Sequence, residues 1–233
     1  MPNDYSSQWF DVFLHTLPSE WTAGEVEGVR RRLPLPGFRR VLDICCGPGR
    51  HARLMADEGY EITGVDRDAE AIGQARATVD TGRFLELDQR DLRRVVGPFD
   101  AALVLWQSFG YFEPASNDQV LANIAGLLRP GGRLLLDLFH PGYFQAHQGR
   151  TTNVRDSRCA AITNTLDGTR LTSTIEYADG SRESMNWELY TPDSISTRAA
   201  RVGLREIERC AWWDETRGPS PAEQRFQVVL ERT

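Results

Sequence analysis

From residue 40 to residue 138 the chain alternates between short, almost wholly apolar runs and stretches in which apolar residues recur every three or four positions. The runs, at 40–45, 61–65, 83–87, 99–105 and 133–138, predict strands, and the intervening stretches predict helices over 50–58, 68–78 and 117–128. Gly59 and Pro130-Gly131-Gly132 supply stops, and Asp68 is placed to cap the second of these helices. Continuous apolar strands separated by helices imply a parallel sheet covered on both faces. Two helices precede this unit. Tyr5, Trp9, Phe10, Phe13 and Leu14 give an amphipathic helix over 5–16, and Thr22 with Glu25 reads as a capping box opening a helix that Pro34 ends.

Beyond residue 150 the period changes to two. Residues 153–190 alternate and are rich in Thr, Ile and Tyr, with Asp167-Gly168 and Asp179-Gly180 as hairpin turns, so a small antiparallel sheet of three or four strands is expected there. Thr191-Pro192 opens a further helix that ends near Gly203, and strands at 204–210 and 224–230 close the chain.

A length of 233 residues with 40% apolar and 26% charged residues fits one α/β domain with an elaboration. The net charge of −6 disfavours a constitutive nucleic-acid or anionic-membrane binder. Arg30-Arg31-Arg32, preceded by Glu25 and Glu27, reads as a solvated helix end. Cysteines 45, 46, 159 and 210 lack metal or redox spacing, so no metal site is expected, and they read as thiols of a reduced compartment. With no secretory pattern at the N-terminus and no apolar run near the ~18 residues of a membrane span, a cytoplasmic protein without a membrane partner is expected.

The candidate chemistry centres on VLDICCGPGR at 41–50: a strand, a turn containing Gly47 and Gly49, and a helix start whose free amides face outward. A dinucleotide loop would need a third glycine where Ala52 stands, and Asp43 would repel a pyrophosphate. A carboxylate there suits an ammonium, and Asp66 at the end of the second strand suits ribose hydroxyls.

VLDICCGPGRHARLMADEGYEITGVDRD resembles the first two motifs of class I S-adenosylmethionine-dependent methyltransferases, and its D-x-C-C-G-x-G-R-H form is similar to a bacterial small-molecule branch. The likeness continues through Asp91, FDAALVLWQSFGYF at 99–112, LLRPGGRLLLDLF at 127–139 and LYTPDSISTRAARVGL at 189–204. It departs at Cys45, where the family commonly has glycine. The resemblance implies that Asp43, Cys45, Gly47 and Gly49 line the methionine part of S-adenosylmethionine, with Arg50 near its carboxylate. Asp66 would then hold the ribose, Arg67 pack beside the adenine, and Asp91 and the Leu92 amide contact it, while Leu105, Trp106, Ser108 and Phe109 run beneath.

The expected fold is a Rossmann-like, seven-stranded, mostly parallel sheet with its last strand antiparallel, in a single methyltransferase domain. Within it, 1–37 would form a helical cover, 38–150 the cofactor core, 151–190 a lid and 191–233 the closing helix and strands. The expected activity is methyl transfer to a small molecule, with nitrogen favoured over oxygen and a monomer or homodimer as the working form. The alternatives are an RNA or protein methyltransferase, disfavoured by Gln107-Ser108-Phe109-Gly110 in place of an N/D-P-P-Y/F tetrad, or a non-methylating S-adenosylmethionine-binding protein. His140, directly after the fifth strand, is the candidate base, and Tyr111 stands with it as a candidate catalytic group. His51, in the first turn of a helix, reads as structural. Trp106, Phe109, Tyr111, Phe112, Tyr143 and Phe144, with Tyr5 and Trp9, could wall an acceptor pocket, Phe112 and Phe144 being assigned to the core. Trp187 and Tyr190 could face the same pocket from the lid.

Overall fold

A computed structural model describes residues 5–14, 16–152 and 154–233. Two expected segments, 5–16 and 151–190, each include one residue outside this set, His15 and Asn153. The first strands are β1 (Arg40–Ile44), β2 (Glu61–Asp66), β3 (Arg83–Glu86), β4 (Phe99–Val104) and β5 (Leu128–Phe139). The last two, β10 (Leu204–Cys210) and β11 (Arg225–Arg232), join them in a seven-stranded sheet of order β10-β11-β5-β4-β1-β2-β3. Strands β1 to β5 pair in parallel, and β11 runs antiparallel between β5 and β10. The strand order reverses between β1 and β4, which places a crevice at their carboxyl ends.

Helices α3 (Arg50–Asp57) and α4 (Ala69–Thr78) lie on one face with α2 (Ser19–Arg32), and α5 (Pro114–Leu127) and α7 (Pro192–Ala200) lie on the other. Asp68 caps α4 by accepting from the amides of Glu70 and Ala71, and Thr191 caps α7 by accepting from Ser194. The capping box at Thr22 and Glu25 does not form. Helix α2 begins a turn earlier, after Pro18, and Thr22 and Glu25 turn their side chains toward Arg50. Helix α5 ends at Leu127, ahead of Pro130-Gly131-Gly132 as expected, but β5 starts at Leu128 and not at Arg133, so the Pro-Gly-Gly lies in a register shift inside the strand, where Phe99 pairs with Leu128 and Ala101 with Arg133.

The smaller sheet has four antiparallel strands in chain order: β6 (Gly149–Thr151), β7 (Cys159–Asp167), β8 (Arg170–Tyr177) and β9 (Arg182–Glu188). It starts just before the expected range. The turn glycines at 168 and 180 both have positive φ, as tight hairpins require. Its apolar face packs on α6 (Pro141–Ala146) and on Val12 of the N-terminal segment, which is helical over Ser7–Trp9 (α1) and π-helical over Phe10–Leu14. Gly110 makes the joint between the two sheets. Its φ is +100°, its carbonyl accepts from the Glu188 amide, and an added Cβ would lie 2.3 Å from the Glu188 carbonyl oxygen.

Candidate functional site

The crevice at the switch point is a cavity of about 630 Å³, within the range of small-molecule sites. Its floor comes from the end of β1 (Asp43), the loop after it (Cys45, Cys46, Gly47, Pro48) and the start of α3 (Arg50, His51), and one side comes from the end of β2 (Asp66, Arg67). Asp88 and Gln89 after β3 and Leu105, Trp106, Ser108, Tyr111 and Phe112 after β4 add further walls. Tyr5, Trp9, Phe10 and Leu14 of the N-terminal segment close over it.

The glycine loop is tied to β2. Gly47 donates its amide to Asp66 Oδ2 at 2.8 Å, and Asp68 donates to Asp66 Oδ1 at 3.0 Å, leaving the second lone pair of each oxygen for further donors. Burial pushes the Asp66 carboxyl up, against the pull of those two amides. Cys45 stands at φ +58°, a left-handed conformation that explains why glycine is common there. Gly49, at φ +81°, opens α3 and packs against Ala75, so its place is behind the cavity wall.

Two residues of this lining each carry a buried polar atom without a partner, Asp43 Oδ2 and Arg50 Nη2. Such atoms are costly unless something satisfies them. Burial raises the Asp43 carboxyl to about 7, against the pull of Arg50 and with a push from Asp66. An unpaired carboxylate and an unpaired guanidinium nitrogen beside one cavity match the ammonium and carboxylate of an α-amino acid, and Asp66 matches a ribose. The donor set therefore fits the methionine and ribose parts of S-adenosylmethionine.

Arg50 is held by a buried cluster. Its Nη1 donates to Thr22 Oγ1 and Glu25 Oε2, both at 2.8 Å, and His51 Nε2 meets the same Oε2 at 2.8 Å. The Trp106 indole N–H donates to Glu25 Oε1. Trp106 sits between two guanidinium groups, with Arg50 4.5 Å and Arg225 4.6 Å from its ring centre, and Arg225 pairs with the buried carboxylate of Asp137. Despite burial, which raises it, the Glu25 carboxyl is held at about 2 by its hydrogen bond to His51 and the neighbouring cationic groups. Burial and Arg50 depress His51, which stays a neutral ring.

Of the positions the sequence singled out, Asp43, Cys45, Gly47, Arg50, Asp66, Arg67, Leu105, Trp106, Ser108 and Tyr111 line the cavity. Asp91 and Leu92 do not. Asp91 is exposed and Leu92 is wholly buried in the core, and the residues after β3 that reach the cavity are Asp88 and Gln89. Phe109 also belongs to the core, 5.5 Å from Tyr190. The expectation for His140 is corrected: it caps α6, its Nδ1 accepting from the Gly142 amide at 3.1 Å, and it lies outside the cavity lining. Phe112, assigned to the core, lines the cavity, whereas Tyr143, Phe144, Trp187 and Tyr190 lie elsewhere. No residue of the small sheet lines it. That sheet instead braces the N-terminal segment, Glu183 accepting from the Ser6 amide and from the hydroxyls of Ser6 and Tyr177. Glu25, Phe10, Leu14, Asp88, Gln89 and Arg225 were missed as site residues; for Glu25 the only sequence signal was a spacing that also spells a capping box.

Residues 41–132, from β1 into β5, match the family described as a methyltransferase domain. That segment, 92 of the 233 residues, carries the likeness to a methyltransferase domain. YqeM of Bacillus subtilis (strain 168), which bears a methyltransferase name, is 29% identical over 139 residues, 58% of this chain and 53% of YqeM. The chain spans about half the length of the curated relatives it matches. In fold it is similar to the CcbJ methyltransferase of Streptomyces caelestis, with TM-score 0.79 and 17% identity over 93% of this chain and 90% of that one. It is also similar to the sugar N-methyltransferase KedS8 of Streptoalloteichus sp. ATCC 53650, with TM-score 0.75 and 20% identity over 98% and 93%.

Proposed function

We propose that the protein transfers a methyl group from S-adenosylmethionine to a small-molecule acceptor, with an amine nitrogen as the favoured receiving atom. The carrying observation is the pair of unpartnered buried atoms, Asp43 Oδ2 and Arg50 Nη2, on two residues that line one cavity together with Asp66. Arg50 and Asp43 would hold the two ends of the amino-acid group, and Asp66 the ribose. When bound, the cofactor supplies an electrophilic methyl on a sulfonium.

The remaining walls support a small acceptor. Tyr5, Trp9, Phe10, Leu14, Tyr111 and Phe112 enclose an apolar, aromatic space under the N-terminal segment. Tyr5 and Tyr111 join hydroxyls at 2.6 Å, and burial raises both phenols, so they stay protonated near neutral pH and orient an acceptor without taking its proton. His51 is engaged with Glu25, and His140 lies elsewhere. A neutral amine needs no general base to attack a methyl sulfonium, whereas a hydroxyl does, and the aromatic walls stabilise positive charge as it moves onto nitrogen. The chemistry named for KedS8, methylation of a sugar nitrogen, agrees with this choice.

The test is incubation of the purified protein with methyl-labelled S-adenosylmethionine and a panel of primary and secondary amines, phenols and RNA. Label is expected in amines. Label confined to RNA or to phenols would overturn the reading.

A further inference from the structure

We propose that Glu25 is the positioning residue for cofactor recognition: from α2, before the segment that matches the methyltransferase family, it holds Arg50 so that Nη2 stays turned to the cofactor's carboxylate. The inference rests on the cofactor reading above and goes beyond it.

Both oxygens of the Glu25 carboxylate are engaged by protein groups. Oε2 accepts from Arg50 Nη1 and meets His51 Nε2, Oε1 accepts from Trp106 Nε1, and Glu25 stands outside the cavity lining, so it acts through Arg50 and not as a ligand contact of its own. Its side chain is 13% exposed. Arg50 is a long, flexible side chain, and one hydrogen bond would leave its plane free to turn. Here Nη1 is fixed from two sides, by Glu25 and Thr22, and the Trp106 ring lies against the face of the guanidinium. Because that group is planar, fixing one nitrogen and one face fixes where Nη2 points. Glu25 anchors both restraints, since it binds the arginine and the edge of the ring that the arginine lies against. The outcome is an Nη2 left without a protein partner in a buried place, the state a preformed carboxylate receptor needs.

The competing explanation is that Glu25 merely pins α2 to α3. Two ligands separate the cases. S-adenosylhomocysteine carries the amino-acid group and methylthioadenosine does not, while both carry the adenosine. Binding of each is measured by calorimetry on the full chain for the wild type, Glu25→Gln and Thr22→Val, with unfolding followed by circular dichroism. Glu25→Gln is expected to weaken S-adenosylhomocysteine about tenfold and to change methylthioadenosine less than twofold. Thr22→Val, which removes one acceptor from Nη1, should show the same selectivity at about threefold, and it keeps the test open if Glu25→Gln does not fold. Equal losses for both ligands, or no loss for the first, would overturn the positioning role while leaving the cofactor reading intact. Failure of the wild type to bind S-adenosylhomocysteine would overturn both.

Discussion

In the proposed site, Asp43 should make cofactor binding depend on pH in a way that its surroundings define. The carboxyl is 3% exposed, has one unpartnered oxygen, and is raised by burial to about 7. An ammonium placed beside it pairs with the ionised form only, so the free protein must give up a proton before or during binding. With a value near 7, about 3% of the molecules are ionised at pH 5.5 and about three-quarters at pH 7.5. The dissociation constant for S-adenosylhomocysteine should therefore fall about 25-fold across that interval and level off above it. Methylthioadenosine, which has no ammonium but meets the same Asp66, serves as the control, and the difference between the two ligands isolates Asp43 from any titration of Asp66. Titration calorimetry in buffers of different ionisation enthalpy should also show one proton released near pH 6. A pH-independent difference between the two ligands would refute the argument.

The same shift has a consequence for folding, and its sign is opposite to the usual carboxylate. The folded value lies above the ordinary one, 3.8, so the folded state binds more protons between the two values and stability falls as pH rises through them. A shift of three units corresponds to at most about 4 kcal/mol, lost in full above pH 7. Asp43→Asn should therefore raise the melting temperature of the ligand-free protein at pH 8 by several degrees, gain nothing near pH 4, and weaken S-adenosylhomocysteine strongly. A variant less stable than the wild type at pH 8 would refute the assignment of an uncompensated buried charge.

Further outcomes follow from single contacts. Tyr5→Phe and Tyr111→Phe each break the hydroxyl pair that joins the N-terminal segment to the loop after β4, and each should cost about 1 kcal/mol in denaturant unfolding. The double variant should cost little more than either alone, and additive losses would show that the pair is not a unit. Gly110→Ala forces a Cβ against the Glu188 carbonyl at a position of φ +100°, and it should lower stability by more than about 3 kcal/mol or abolish soluble expression. His140→Asn keeps a capping side chain outside the cavity, so methylation of any accepted amine should stay within about twofold of wild type at every pH; a lost limb in the pH–rate profile would restore histidine as a base.

How much of this was legible in the sequence depends on the distance over which each feature is encoded. The strand–helix alternation, the Asp68 and Thr191 caps and the two hairpins are local patterns, and they stand where the periodicity put them. Cys45 was readable as a departure, but that it carries a left-handed backbone conformation follows only from the turn. The third-strand carboxylate was misplaced because Asp88 and Asp91 both follow the strand. The chain turns immediately into a 3₁₀ helix, which leaves Asp88 at the cavity and Asp91 in solvent. Thr22 and Glu25 show the limit most clearly. Their spacing satisfies two geometries at once, and a helix that starts after Pro18 frees both side chains for an arginine more than 20 residues away in sequence. Which geometry forms is decided by the packing of α2 on α3, a tertiary fact with no local signature. The proposed cofactor loop could thus be read from its own ten residues, but the contacts that hold Arg50 come from outside them, and on the proposal made above a homologous loop grafted without α2 would carry the motif and lack the aim.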